Sequence, residues 1–210
     1  MKVVNIFALV ALFGLSSCLT IVNTLTTSDT IVNDSRVEGL WVDGERKQIL
    51  VQKLMDSRFK NVFKELDPKD YTRQDSINYI KHYVITYREN ALEYIWLAGL
   101  VEIHGSFYLN LQAEECLSNG KEIYGGLATS SIAKLSWESN NSLVIRFLNG
   151  DSIKEIILEG KARVRHMYDP LFGTFIITAS SQELRQFLEK YGDDNRLFKG
   201  GNSIILNRKS

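Results

Sequence analysis

Several residue types that mark particular protein classes are scarce in this chain. Only two of its 210 residues are proline, Pro68 and Pro170, so no proline-rich linker divides it. Two are cysteine, Cys18 and Cys116, and three are histidine, His82, His104 and His166. Neither sign of charge is in excess: 25 Lys and Arg balance 25 Asp and Glu, giving a formal net charge of zero. That lacks the electrostatic footprint of a nucleic-acid binder, so no nucleic-acid partner is expected, and it argues against an acidic tail. No His-Glu-x-x-His metal motif, Gly-x-Ser-x-Gly elbow or phosphate loop is present. No internal repeat of 20 to 50 residues is apparent.

What remains is ordinary globular composition, 44% hydrophobic and 24% charged. The length is long for one domain and short for two. A chain of this size can bury roughly 70% of the surface its unfolded form exposes, so a substantial core is available.

The amino terminus carries the strongest signal. Lys2 is the only charge before Asp29, and Val3 to Leu15 is apolar apart from Asn5. A basic start, a short apolar run and then small residues is the layout of a secretory signal. Leu15-Ser16-Ser17-Cys18 resembles the lipobox of bacterial lipoproteins. That resemblance implies cleavage after residue 17, a diacylglyceryl thioether on the Cys18 sulfur and acylation of the new amino group. A thiol suits this step because it is a far better nucleophile than a hydroxyl. Leu19 after the cysteine, rather than aspartate, implies the outer membrane, with the domain facing the periplasm. Two or more acyl chains anchor stably, whereas one does so only marginally. Two other readings stay open. An uncleaved anchor helix could use the apolar residues that resume at Leu19, Ile21 and Val22, although Ser16, Ser17, Thr20 and Asn23 interrupt it. An ordinary cleaved signal would release the domain. All three place the folded part outside the cytosol. With Cys18 lipidated, Cys116 has no partner for an intrachain disulfide, and it is expected to be a small, partly buried residue.

The rest divides into a flexible tether over 18–36, rich in Thr, Asn, Ser and Asp, and a single β-rich domain over 37–210. Gly39 to Val42 and Gln48 to Val51 read as a hairpin around Asp43-Gly44. Residues 54–78 read as an insertion containing a helix, with Leu54, Met55, Phe59, Val62, Phe63 and Leu66 at helical spacing. Alternating strands follow: Tyr83 to Tyr87, Glu93 to Ile103 and, after His104-Gly105, Phe107 to Leu111. Residues 113–126 read as a polar loop. Ile132 to Trp137 and Leu143 to Leu148 form a hairpin around Glu138 to Asn141. A short helix is expected from Asp151, as N-cap, to Gly160. Arg163 to Tyr168 and Thr174 to Thr178 pair around Asp169-Pro170. Ser180 and Glu183 form a capping box for a helix over 181–191, with Leu184, Phe187, Leu188 and Tyr191 on one face and Gly192 at its end. Ser203 to Asn207 is a final strand. Many strands with short turns and few helices predict a mainly β fold: an antiparallel, lipocalin-like barrel or strongly curved half-barrel, with the carboxy-terminal helix on one opening. Closing the sheet removes exposed edges.

The stretch TASSQELRQFLEKYGDD, Thr178 to Asp194, resembles a carboxy-terminal signature of a family of uncharacterised bacterial lipoproteins. Gly39-Leu40-Trp41 is similar to the Gly-x-Trp that opens their domain, and Leu100 to Ile103 with Tyr108-Leu109 to their mid-chain run. The 54–78 insertion departs from that pattern. The resemblance implies a fold and no activity.

No catalytic centre, cofactor or metal site is expected. A three-histidine metal site across strands is conceivable, but strand parity sends His82 and His166 to different faces, and partly exposed histidines are the plainer expectation. Glu102 and His104 share a face by a turn and could do acid–base work, without a nucleophile to serve. Lys161, Arg163 and Arg165 lie on one face, as a solvated strand face would, or as groups meeting phosphate, carboxylate or anionic lipid. Tyr83, Tyr87, Tyr94, Trp96 and Trp137 fill a core or line a cavity. The expected function is a lipid-anchored envelope protein, attached to the membrane through Cys18, whose domain binds a small apolar ligand or a protein partner. The alternative is an envelope enzyme whose site assembles only in three dimensions.

Overall fold

A computed structural model describes residues 19–57, 80–118, 121–125, 129–198 and 203–209. Cys18, the signal segment and most of 54–78 therefore lie outside the described residues. Leu54–Asp56 form a 3-10 turn.

The chain is mainly β. Eight strands close into an antiparallel, lipocalin-like barrel: β3 (Gly39–Val42), β4 (Gln48–Lys53), β5 (Tyr83–Glu89), β6 (Leu92–Ile103), β7 (Ser106–Ser118), β9 (Ser130–Ser139), β10 (Ser142–Phe147) and β13 (Ser203–Arg208). Two pairings complete the ring. β7 pairs with β9 from Phe107↔Leu135 to Gln112↔Ser130. β13 pairs with β3 only at Asn207↔Val42 and Arg208↔Trp41. Period-2 alternation decides which side chains enter. Ile49 and Val51, Ile85 and Tyr87, Leu109 and Leu135, and Leu143 and Ile145 belong to one interior cluster.

Where it is described, the expected polar loop at 113–126 is instead strand. β7 continues to Ser118 and pairs with β8 (Lys121–Gly125), from Glu115↔Gly125 to Ser118↔Lys121. This ribbon extends past the barrel seam, and its sequence has no apolar alternation to announce it.

The expected tether over 18–36 is also corrected where it is described. β1 (Thr20–Ile21) lies parallel to β12 (Thr174–Ile177), with Thr20↔Ile176 and Ile21↔Ile177. Leu25 is fully buried, and its N–H donates to Asn110 Oδ1 at 2.8 Å. β2 (Ile31–Val32) pairs with β6 at Val101 and Leu100. The polar residues that suggested a loop serve local turns: Thr27 N–H donates to Thr30 Oγ1, and Thr26 N–H to Thr24 Oγ1. Residues 19–36 are a strap laid along the barrel.

A second core lies outside the barrel wall. Val101, Ile103, Tyr108 and Ile132 face outward and are covered by two helices, β1 and β12. The helices are α1 (Gly150–Leu158) and α2 (Ser181–Tyr191). α2 thus packs against the wall and not over an opening, because the strand residues of opposite parity are also apolar there. The N-cap of α1 is Asn149, whose side chain accepts from Ser152 N–H. Asp151 sits instead in the first turn, where its charge complements the helix dipole. The capping box of α2 is present as read, between Ser180 and Glu183.

Glu183 also pairs with Arg165 at 2.7 Å. That guanidinium first, then the Ser180 backbone and hydroxyl donors, lowers the Glu183 carboxyl from 4.5 to about 2. A depressed carboxylate stabilises the fold above its ordinary value and loses that contribution as pH falls toward its folded value. Urea midpoints measured from pH 5 down to pH 2 are expected to fall more steeply for the parent than for Glu183→Gln. Parallel curves would count against the assignment.

Candidate functional site

The barrel is hollow. A cavity of about 590 Å³ lies inside it, within the range of small-molecule sites. Its walls are apolar: Val51, Ile85, Trp96, Leu109, Leu135 and Ile145 are among the side chains that line it. Eight strands give an interior just wide enough either to be filled or to hold one small ligand. Here small side chains help to leave space: Ala113 lines the cavity, and Ala98 and Ala133 are buried in the same interior cluster.

One end is sealed. The strap crosses it as a 3-10 turn, Ser35–Val37, capped by the Asp34 side chain. Val37 lines the cavity there, and its carbonyl accepts from Trp41 Nε1–H at 2.9 Å. Trp41 is fully buried, and the Arg208 guanidinium stands 4.4 Å from its ring centroid. Arg208 donates to the carbonyls of Arg36 and Glu38, both at 2.7 Å. Arg36 lies 4.1 Å from the Trp137 ring, which meets Phe107 edge-on at 5.2 Å. Two cations over aromatic faces, Arg36 tied to the Asp34 carboxylate and Arg208 to backbone carbonyls, plug this end.

The other end is open and polar. The exposed residues Glu45, Ser131 and Ser203 belong to the lining. The Asp43–Lys47 turn is held by Asp43 Oδ1, which accepts from the N–H groups of Glu45 and Lys47. Lys47 Nζ pairs with Glu45 at 2.6 Å and Glu89 at 3.3 Å, and the Tyr87 hydroxyl donates to Glu89 Oε2. The Glu45 hydrogen bond, foremost, raises the Lys47 ammonium above its ordinary range. Burial, foremost, pushes the Tyr87 hydroxyl up to about 12. At neutral pH the rim therefore presents an ammonium between two carboxylates, beside a neutral phenol.

The five aromatic residues singled out in the sequence all belong to this interior. Tyr87 and Trp96 line the cavity, with Tyr94 stacked on Trp96 at 5.9 Å. Tyr83 and Trp137 belong to the packed interior, and the Tyr83 hydroxyl accepts from Asp34 N–H. The polar candidates do not converge on it. Glu102 and His104 are exposed at the β6–β7 turn. Lys161 pairs with Glu159 and Arg165 with Glu183, while Ala162 and Val164 between them are buried, so the alternation holds. His166 is exposed, with its ring 5.2 Å from that of Phe175. His82, expected to be partly exposed, is buried. Among the described residues no three His, Cys, Asp or Glu side chains come together as a metal would require. The Cys116 side chain and Cys18 are outside what is described. Among the described residues no helix is long and apolar enough to cross a membrane.

Sequence reasoning missed the rim group, Glu45, Lys47 and Glu89, and the plug cations, Arg36 and Arg208. Arg208 meets its carbonyl partners across about 170 residues of chain, and no local pattern marks such a contact. Comparison with family models, with curated proteins and with solved structures gives no match.

Proposed function

We propose that this chain is a lipid-anchored cell-envelope protein, held by acyl groups on Cys18 at the outer membrane and facing the periplasm, whose non-catalytic barrel carries a small apolar ligand. The observation that carries the reading is the apolar cavity, closed at the Trp41 end and open at the Lys47 end. An apolar body would lie among Val51, Ile85, Leu109 and Leu135, gaining roughly 25 cal/mol for each Å² removed from water. Its polar end would reach the rim. Asp43, Glu45 and Lys47 of the lining, with Glu89 paired to Lys47, together carry two net negative charges, so the rim suits an uncharged or cationic group better than a carboxylate.

Two measurements test this. The intact mass of protein taken from its own membrane should show loss of residues 1–17 and added acyl mass, both absent in Cys18→Ala. Titration with a neutral fluorescent long-chain alcohol should give saturable binding, weakened about tenfold or more by Leu111→Trp, which intrudes on the cavity; tenfold corresponds to about 1.4 kcal/mol. Binding that ignores the substitution, in a variant that still folds, would remove the cavity from the account.

A further inference from the structure

We infer that the β11–β12 hairpin is a membrane-contacting wedge that docks the barrel on a lipid bilayer. The inference rests on the lipid-anchor reading above and adds to it a second point of contact. β11 (His166–Asp169) and β12 pair from His166↔Ile177 to Asp169↔Thr174, and Pro170 to Gly173 form the tip. That tip is apolar and exposed: Leu171 is 88% and Phe172 83% accessible, followed by Met167 at 63% and Tyr168 at 41%. Four large apolar side chains exposed on one short hairpin form a cluster, unlike scattered single residues that need no explanation. The tip is also well built. Asp169 Oδ1 accepts from Leu171 N–H at 2.9 Å, and Gly173 takes a φ of 66° to close the turn. The Lys154 ammonium stands 4.6 Å from the Tyr168 ring, so a cation backs the apolar tip as an anionic headgroup layer would favour.

The place where the chain enters the described structure selects the bilayer as occupant. Thr20 lies beside Ile176, two residues beyond Thr174, and the strands are parallel. The amino-terminal direction along β1 is therefore the direction of the hairpin tip. Leu19 packs with the outer core that includes Phe175. Cys18 precedes Thr20 by two residues, a span of at most about 7 Å. Acyl chains attached there start next to the hairpin that carries Leu171 and Phe172. Tip and anchor reach the same surface.

The test uses full-length protein purified from its own membrane and reconstituted in phosphatidylethanolamine–phosphatidylglycerol vesicles with brominated acyl chains. Phe172→Trp is compared with the parent and with Asn140→Trp in the exposed β9–β10 turn. Bromine is expected to reduce the added emission of Phe172→Trp by about twofold or more, a depth consistent with interfacial insertion. Asn140→Trp should match the parent, and adding Leu171→Asp to Phe172→Trp should relieve the quenching while protein still floats with the vesicles. Flotation without extra quenching at position 172 overturns the wedge and leaves the anchor standing. Equal quenching at both positions overturns a specific docking face. A blue-shifted Phe172→Trp emission without bromine quenching points to contact with a second copy of this chain and overturns the bilayer assignment. Protein that neither floats nor quenches overturns both readings.

Discussion

Trp41→Ala is expected to cost about 3–5 kcal/mol of folding stability, as large-to-small aromatic replacements in cores do. Typical domains have only about 5–15 kcal/mol in all. Three losses combine at this position. The indole is fully buried, so its removal leaves a cavity. The Val37 carbonyl loses its Nε1–H donor. The Arg208 guanidinium loses the face it stands over, although its bonds to the Arg36 and Glu38 carbonyls remain. Trp41→Phe separates the terms by keeping an aromatic ring and deleting the donor, and should cost about 1–3 kcal/mol, the range for a buried acceptor left unpaired. Urea denaturation followed by circular dichroism measures both. A Trp41→Ala loss below about 1 kcal/mol would mean that the plug at this end contributes little.

The second large effect is expected at Gly99. It faces Asn110 across β6 and β7, and Thr26 of the strap lies directly over it. A Cβ built on Gly99 would overlap the Thr26 side chain. Thr26 is buried and its neighbour Leu25 is fully so, so neither can yield without lifting the strap. Gly99→Val is expected to cost about 1–3 kcal/mol by overpacking, and more if Leu25 and Ile31 leave their sites. Limited proteolysis distinguishes the result from general destabilisation. Cleavage should appear first within residues 22–32 while the barrel stays resistant. Gly99→Val combined with Thr26→Gly should restore resistance. Uniform cleavage across the chain, or none, would show that the strap does not depend on this close approach.

The barrel strands were legible because their pattern is local. Ile49 and Val51, Ile85 and Tyr87, and Leu109 and Leu111 alternate, and each pair sits in or along the cavity. The capping box at Ser180 and Glu183 was legible for the same reason, being complete within four residues. The cap of the first helix was placed two residues late, at Asp151, since Asp and Asn both cap well and only the structure shows that the Asn149 side chain meets an orphan N–H. The strap was misread because few of its residues are apolar, and the bond that fixes Leu25 comes from Asn110, 85 residues away. Composition there describes a loop, while partners elsewhere in the chain make it a packed segment. The hollow interior was the least legible feature. Whether a barrel is filled or empty depends on the summed volume of side chains from all eight strands, and no single strand carries that sum.

The packed strap also sets a length. A free segment of 18 residues, fully extended, would reach about 60 Å, and a domain on such a leash could sample a broad zone above its attachment point. With residues 19–36 fastened to β12, β9 and β6, that leash has no slack. Tension applied ahead of Leu19 would pass straight into the sheet through Thr20 and Ile21, pulling along parallel neighbours in shear. Under the proposed reading of a lipid-anchored carrier, a barrel held this way would not ferry by reaching outward. On that reading, whatever gives or takes the proposed ligand would have to come to the surface where the barrel is held.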